Sequence, residues 1–109
     1  MSANPAFMAG VPELLSLRLL QDQEMYGYEI VAAIAAATGQ VVVPKEGVVY
    51  PLLHALEKDG LVRAQPRPAN GRTRIYYTLT SKGVRRLFEL TDEWTRLQGA
   101  VGRALRTGG

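Results

Sequence analysis

The sequence has no cysteine, and its 109 residues include a single histidine, His54. The lack of cysteine excludes disulfides, zinc–thiolate sites and thiol nucleophiles. One histidine gives no support to a metal site or to a histidine-centred catalytic triad. Paired acids, a nucleophile–base pair and a glycine-rich phosphate loop are also missing, so we expect neither an enzyme nor a cofactor.

Long apolar runs are lacking as well. The longest, Ile30 to Ala37, is far shorter than the roughly 20 residues that a membrane span needs. The N-terminus shows no signal-peptide pattern, so we expect a soluble, cytoplasmic protein without a membrane partner. An apolar content of 47% fits one small folded domain, for which oligomerisation is a reasonable source of added stability.

Acidic side chains are absent from one part of the chain. Residues 61–86 carry seven basic side chains and no acidic one, whereas residues 1–60 have a net charge of −4. A basic block inside a foldable segment is typical of a nucleic-acid-binding surface. Solvated side chains, or ion pairs with the acidic half, would account for the same pattern.

The apolar pattern predicts three helices in the first 60 residues. The third is the clearest, because Val49, Leu52, Leu53 and Leu56 follow the i, i+3, i+4, i+7 spacing of one helix face. Gly60 is expected to end it. We expect Met25–Ile30 to open the second helix, and residues 40–43 to form a short connector or a strand.

From Leu61 the apolar period changes to two. Residues 61–65 and 72–79 are predicted to be strands, joined by a turn over residues 66–71. Within that turn, Asn70-Gly71 is the strongest hairpin signal. Arginines therefore lie near the tip of a two-stranded hairpin.

Thr80 and Ser81 are expected to cap a last helix that extends to about residue 105. Its apolar residues recur at intervals of three and four, the spacing of a coiled-coil seam. They are Leu87, Leu90, Trp94, Leu97, Val101 and Ala104. A helix roughly 37 Å long at 1.5 Å per residue cannot bury its length on so small a domain. We therefore expect it to pair with a second copy in a homodimer; the alternative is packing on its own domain alone.

Three helices followed by a basic-tipped hairpin is the order of a winged helix-turn-helix, whose third helix lies in the major groove of DNA. The predicted fold class is α+β and mainly helical. It would comprise a flexible arm (1–10), a DNA-binding domain (11–80) and a dimerisation helix with a tail (81–109). A two-fold dimer would bind double-stranded DNA at a palindromic operator.

Three stretches resemble the PadR family of bacterial transcriptional regulators: residues 25–30, residues 46–61, and residues 71–80 followed by Gly83. The single C-terminal helix resembles the short subfamily that is similar to the multidrug-binding regulator LmrR. This resemblance implies a ligand-responsive repressor in which Trp94 lines a pore between subunits and stacks on a planar aromatic small molecule. From the residues alone, a Trp94 that simply fills the seam is the simpler interpretation.

The candidates for DNA contact are Tyr26, Lys45, Val48, Tyr50, His54, Arg72 and Arg74. The family commonly has threonine where Val48 stands and a basic residue where Ala55 stands, so the third helix has no arginine for bidentate guanine contacts. We expect phosphate contacts from the lysine and the arginines, and base contacts from Tyr50 and His54. The alternatives are an exposed helix face at His54 and a buried ring at Tyr26.

A second function class is also open. The missing arginine on the third helix favours a small-molecule-binding dimer that uses its winged helix for protein contact. Quenching of tryptophan fluorescence by planar compounds, without DNA binding, would distinguish it.

Overall fold

The structure is a computed structural model that describes residues 3–107. Within that range lie four α-helices, α1 (Val11–Asp22), α2 (Gly27–Ala37), α3 (Glu46–Lys58) and α4 (Ser81–Thr107), and three strands, β1 (Met25–Tyr26), β2 (Val62–Ala69) and β3 (Arg72–Leu79). The strands form one antiparallel sheet with β3 in the middle. The predicted mainly helical α+β fold with a long C-terminal helix is confirmed.

The core lies where α1, α2 and α3 meet the sheet and the start of α4. Its completely buried side chains include Leu17, Ile30, Val49 and Leu53. The apolar stripe predicted for α3 is confirmed, because Val49, Leu53 and Leu56 are buried and Leu52 packs against the core. The opposite face of α3 is therefore left to the solvent.

Gly60 ends α3, as predicted, and fixes the direction of the next strand. Its φ of 75° lies in the left-handed region that glycine adopts without strain. The N–H of Leu61 donates to the carbonyl of Leu56 at 2.9 Å, and that of Gly60 donates to Glu57 at 3.0 Å, which is a Schellman ending. The hairpin therefore begins in a fixed position relative to α3.

The prediction that Met25–Ile30 opens the second helix is wrong for its first two residues. Met25 and Tyr26 form β1, which pairs with Tyr77 and Tyr76 of β3. The helix begins only at Gly27, where the N–H of Tyr26 donates to the Glu29 carboxylate at 3.1 Å. At these two positions the strand is more favourable than an extension of the helix, because it buries Met25 and pairs the backbone with β3.

The predicted turn over residues 66–71 is also wrong, because β2 continues to Ala69 and the turn is only Asn70-Gly71. Both turn residues have positive φ, 53° and 76°, as a type I′ hairpin requires. β2 accommodates Pro66 and Pro68 because it is an edge strand and the two prolines are two residues apart. Both ring nitrogens then lie on the outer edge, where no backbone donor is needed.

Thr80 caps α4, as predicted, since its hydroxyl accepts the N–H of Gly83 at 3.0 Å. The first half of α4 packs on the core through Leu87, and Arg86 forms an ion pair with Glu13 of α1 at 3.5 Å. From Thr91 to Thr107 no residue of this helix is buried. The distal half of α4 therefore leaves most of its surface open within the protomer, which is 58 Å in its longest dimension.

The described part of the predicted N-terminal arm contains one turn of 3-10 helix, Pro5–Phe7, capped by the side chain of Asn4. The N–H of Ala3 donates to the carbonyl of Val41. Residues 41–43 form a connector and not a strand. None of the helices between residues 3 and 107 is long and apolar enough to cross a membrane.

Candidate nucleic-acid interface

The exposed face of α3 and the β2–β3 hairpin, here called the wing, border a cleft of about 250 Å³. It is lined by Tyr26, Gly27, Tyr50, His54, Thr73, Arg74, Ile75 and Tyr77. Four of the residues predicted to contact DNA are thus brought together from three separate parts of the chain. They are Tyr26 of β1, Tyr50 and His54 of α3, and Arg74 of the wing.

The other three predicted contacts do not line this cleft. Lys45 immediately precedes α3, and Val48 lies in its first turn with 49% of its surface exposed. Arg72 is exposed at the tip of the wing, next to the Asn70-Gly71 turn. The structure therefore groups four of the seven predicted residues in the cleft and places the other three outside it, at the start of α3 and at the wing tip.

Tyr50 is positioned by Gly27, a residue that the sequence patterns did not assign to the site. A Cβ atom at Gly27 would lie only 2.4 Å from Cε1 of Tyr50, so the ring lies directly against the start of α2. Tyr50 remains 38% exposed. Its ring thus has one supported face and an edge open to the cleft, which restricts its conformation before any partner binds.

Arg74 is held by an aromatic pair. Its guanidinium carbon lies 4.4 Å from the centroid of the Tyr26 ring, within range of a cation–π contact. Tyr26 in turn meets Tyr76 edge to face, with centroids 5.4 Å apart and an interplanar angle of 80°. Tyr26 is therefore half-buried in a stack, and it presents Arg74 to the cleft that Tyr50 and His54 line.

Arg67, a member of the basic block, is engaged within the protein. Both of its terminal nitrogens donate to the carboxylate of Glu24, which lies between α1 and β1. The Arg67 guanidinium also lies 5.0 Å from the centroid of Tyr76. Together with the Arg86–Glu13 pair, this means that part of the basic block does form ion pairs with the acidic half of the chain. The remaining wing cations, Arg72 above all, carry the exposed charge.

Tyr77 forms the floor of the cleft and is 3% exposed. Burial raises the pKa of its phenol, and the negative charge of Glu57 and the neighbouring Tyr50 raise that pKa further. The phenol is therefore neutral at pH 7. It therefore places no negative charge beneath the cleft that Arg74 lines.

A second surface surrounds Trp94 on α4. Trp94, Leu97 and Val101 are 45%, 59% and 49% exposed, whereas Leu87 is buried in the core and Leu90 packs against it. An apolar groove of about 320 Å³ runs beside Trp94. It is lined by Ala3, Phe7, Met8, Val11, Leu14, Leu15, Thr38, Val42 and Trp94. The exposed part of the predicted seam therefore begins at Trp94.

Helices α1 to α3, the wing that follows them and the cleft between α3 and the wing define the winged helix-turn-helix class of proteins. The model of the transcriptional regulator PadR-like family matches residues 16–93, and the chain belongs to this family. It is accordingly a DNA-binding transcriptional regulator and not an enzyme.

Known proteins resemble this chain in both sequence and fold. It is 35% identical over 86 residues to an uncharacterized protein from Lysinibacillus sphaericus, an alignment that covers 78% of this chain and 79% of that one. A transcriptional regulator structure from Clostridium thermocellum matches with a TM-score of 0.84 at 26% identity, over 92% of this chain and 95% of that chain. A PadR-like transcriptional regulator from Bacillus cereus matches with a TM-score of 0.78 at 30% identity, over 92% and 96%.

Proposed function

We propose that the chain acts as a homodimeric, ligand-responsive repressor that binds double-stranded DNA at a palindromic operator. The cleft between α3 and the wing carries this proposal, because it places Tyr50 and His54 of the exposed α3 face beside Arg74. In this arrangement α3 enters the major groove and the wing follows the adjacent backbone. A protein that acts on DNA in this way works in the cytoplasm.

The exposed residues divide into two roles. Lys45, Arg72, Arg74 and the Tyr26 phenol contact phosphates, which sets the register of the protein on the duplex. Val48, Tyr50 and His54 face base edges, with Val48 contacting thymine methyl groups. Because α3 offers no arginine of its own, sequence choice depends on these weaker contacts and on DNA shape.

The dimer forms through the distal half of α4. Trp94, Leu97 and Val101 expose large apolar surfaces on a helix that buries no residue of its own protomer between Thr91 and Thr107. Pairing two copies around a two-fold axis buries this seam and presents two α3 helices to two half-sites. Leu90 lies at the edge of the interface, and Leu87 stays in the core.

Trp94 gives the dimer its ligand response. A planar aromatic compound stacks on the exposed indole, as the likeness to the short, multidrug-binding subfamily suggests. The ligand favours a dimer in which the two α3 helices no longer match adjacent major grooves, so DNA is released by a population shift.

Replacing both wing arginines tests the DNA-binding surface. For a labelled duplex from the upstream region of its own gene, we expect Arg72→Ala with Arg74→Ala to weaken binding by on the order of a hundredfold at about 0.1 M salt. The slope of log affinity against log salt should fall by roughly three to four, since a dimer loses four phosphate contacts at about 0.9 each. Fluorescence anisotropy at several salt concentrations measures both.

The matched control is Arg103→Ala with Arg106→Ala, which removes the same charge from exposed positions on α4. It should leave the salt slope nearly unchanged. A control pair that weakens binding as much as the wing pair would contradict the proposal, as would wild-type affinity that does not depend on salt. Quenching of Trp94 by planar aromatic compounds in a protein that binds no DNA would favour the alternative, a small-molecule-binding dimer with a protein-binding winged helix.

A further inference from the structure

Five side chains form a continuous series across the sheet, on the face that carries Arg74 and Tyr76. In order they are Glu24, Arg67, Tyr76, Tyr26 and Arg74. An acidic side chain between α1 and β1 is thereby connected through two aromatic rings to an arginine that lines the cleft. Of this series, the sequence predicts DNA contact only for Tyr26 and Arg74.

We propose that Glu24 and Arg67 are positioning residues for Arg74, acting on DNA affinity without contacting DNA themselves. The proposal rests on the proposed DNA-binding function of the wing. It assigns a role to the only side chain of the basic block that pairs with a carboxylate through both terminal nitrogens, within the range 3–107. It also explains why a carboxylate is placed beside a surface that binds polyanions.

The strand register provides the physical reason. Arg67 and Arg74 are direct cross-strand partners, and like charges directly opposite each other repel. Arg67 pairs with Glu24 and lies over the Tyr76 ring, while Arg74 lies over the Tyr26 ring. Pro66 and Pro68 restrict the backbone on both sides of Arg67. Each guanidinium group thus has its own aromatic ring, and Arg74 remains beside the cleft that it lines.

The direction in which Glu24→Gln changes DNA affinity distinguishes a positioning role from a purely electrostatic one. Glu24→Gln removes a negative charge near the wing and frees Arg67, so charge alone predicts tighter DNA binding. A positioning role predicts weaker binding, because Arg67 then repels Arg74 and competes for the aromatic stack. We expect Glu24→Gln to weaken binding roughly two- to fivefold, the range that corresponds to an exposed cation–π contact.

The control is Asp22→Asn, which removes the same charge two residues away from an exposed ion pair with Arg18. Its DNA affinity should be unchanged or slightly higher. Arg67→Lys is a second variant that keeps the charge but loses the planar, two-pronged contact with Glu24. Charge alone predicts no change for this lysine variant, whereas positioning predicts weaker binding. Affinity equal to or tighter than wild type for both Glu24→Gln and Arg67→Lys would overturn the proposal.

A double-mutant cycle tests whether the effect passes through Arg74. In an Arg74→Ala background, Glu24→Gln should no longer weaken binding. An equal weakening in both backgrounds would overturn the assignment to Arg74. Failure of the proposed function itself would give other results. Either the protein with Arg72→Ala and Arg74→Ala would bind DNA as well as wild type, or wild type would bind no DNA. Thermal melting of each variant, followed by circular dichroism, confirms that the compared proteins are folded.

Discussion

Replacing Gly83 with alanine is expected to destabilise the fold by about 3 kcal/mol or more, at or above the upper end of the usual cost of overpacking. A Cβ atom there would lie 2.1 Å from the carbonyl oxygen of Leu61 and 2.6 Å from Cδ1 of Leu79. The first of these is a backbone atom that already accepts the N–H of Thr80 at 3.1 Å, so it cannot move without breaking that bond. Urea unfolding at fixed protein concentration measures the loss.

Gly99→Ala on the same helix is the matched control for Gly83→Ala. An added Cβ at Gly99 meets only the Arg103 guanidinium, at an ordinary 3.6 Å. Alanine should therefore be neutral, or should stabilise by up to about 1 kcal/mol through helix propensity. If Gly83→Ala were as stable as this control, the close packing of α4 on Leu61 and Leu79 would not hold.

Leu97→Glu is expected to convert the proposed dimer into monomers. Leu97 is 59% exposed in the protomer and lies in the centre of the exposed seam. Burying one leucine is worth about 1.5–3 kcal/mol. A two-fold dimer loses it twice, so the dissociation constant should rise on the order of a hundredfold or more. Sedimentation equilibrium measures this change, and DNA affinity should fall with it because one half-site is lost.

Thr95→Glu adds the same charge two residues earlier, at an exposed position off the seam. It should leave the dimer intact. Two results would contradict the assigned interface: a Leu97→Glu protein that stays dimeric, or a Thr95→Glu protein that dissociates equally. A monomeric wild-type protein would remove the dimer proposal altogether.

The parts of the fold that follow from local periodicity could be predicted from the sequence. The α3 stripe, the Gly60 ending and the Asn70-Gly71 turn are each set by residues within one or two turns of chain. β1 and the length of β2 could not be predicted in the same way. Both depend on pairing with β3, and the prolines of β2 are tolerated only because that strand lies at the sheet edge.

The candidate site likewise has features that the sequence predicts and features that depend on tertiary contacts. Residue type and position pointed to Tyr50, His54 and Arg74, and the structure brings them to one cleft. Gly27 supports Tyr50 through a contact between α2 and α3, which no sequence spacing reveals. The pairing of Arg67 with Glu24 joins residues 43 positions apart. The charge pattern is compatible with ion pairs between the basic block and the acidic half of the chain. It does not identify which arginine forms them, because that depends on three-dimensional packing.

Hydroxyl-radical footprinting on the upstream DNA of the gene tests the central claim most directly, because it reports DNA binding, two-fold symmetry and half-site spacing together. The proposed dimer should protect two similar segments whose centres are one helical turn, roughly 10 base pairs, or a multiple of it apart. Protection should disappear for the protein with Arg72→Ala and Arg74→Ala. A single protected segment would contradict the dimer. Absence of protection by the ligand-free protein, at every protein concentration tested, would contradict DNA binding by this surface.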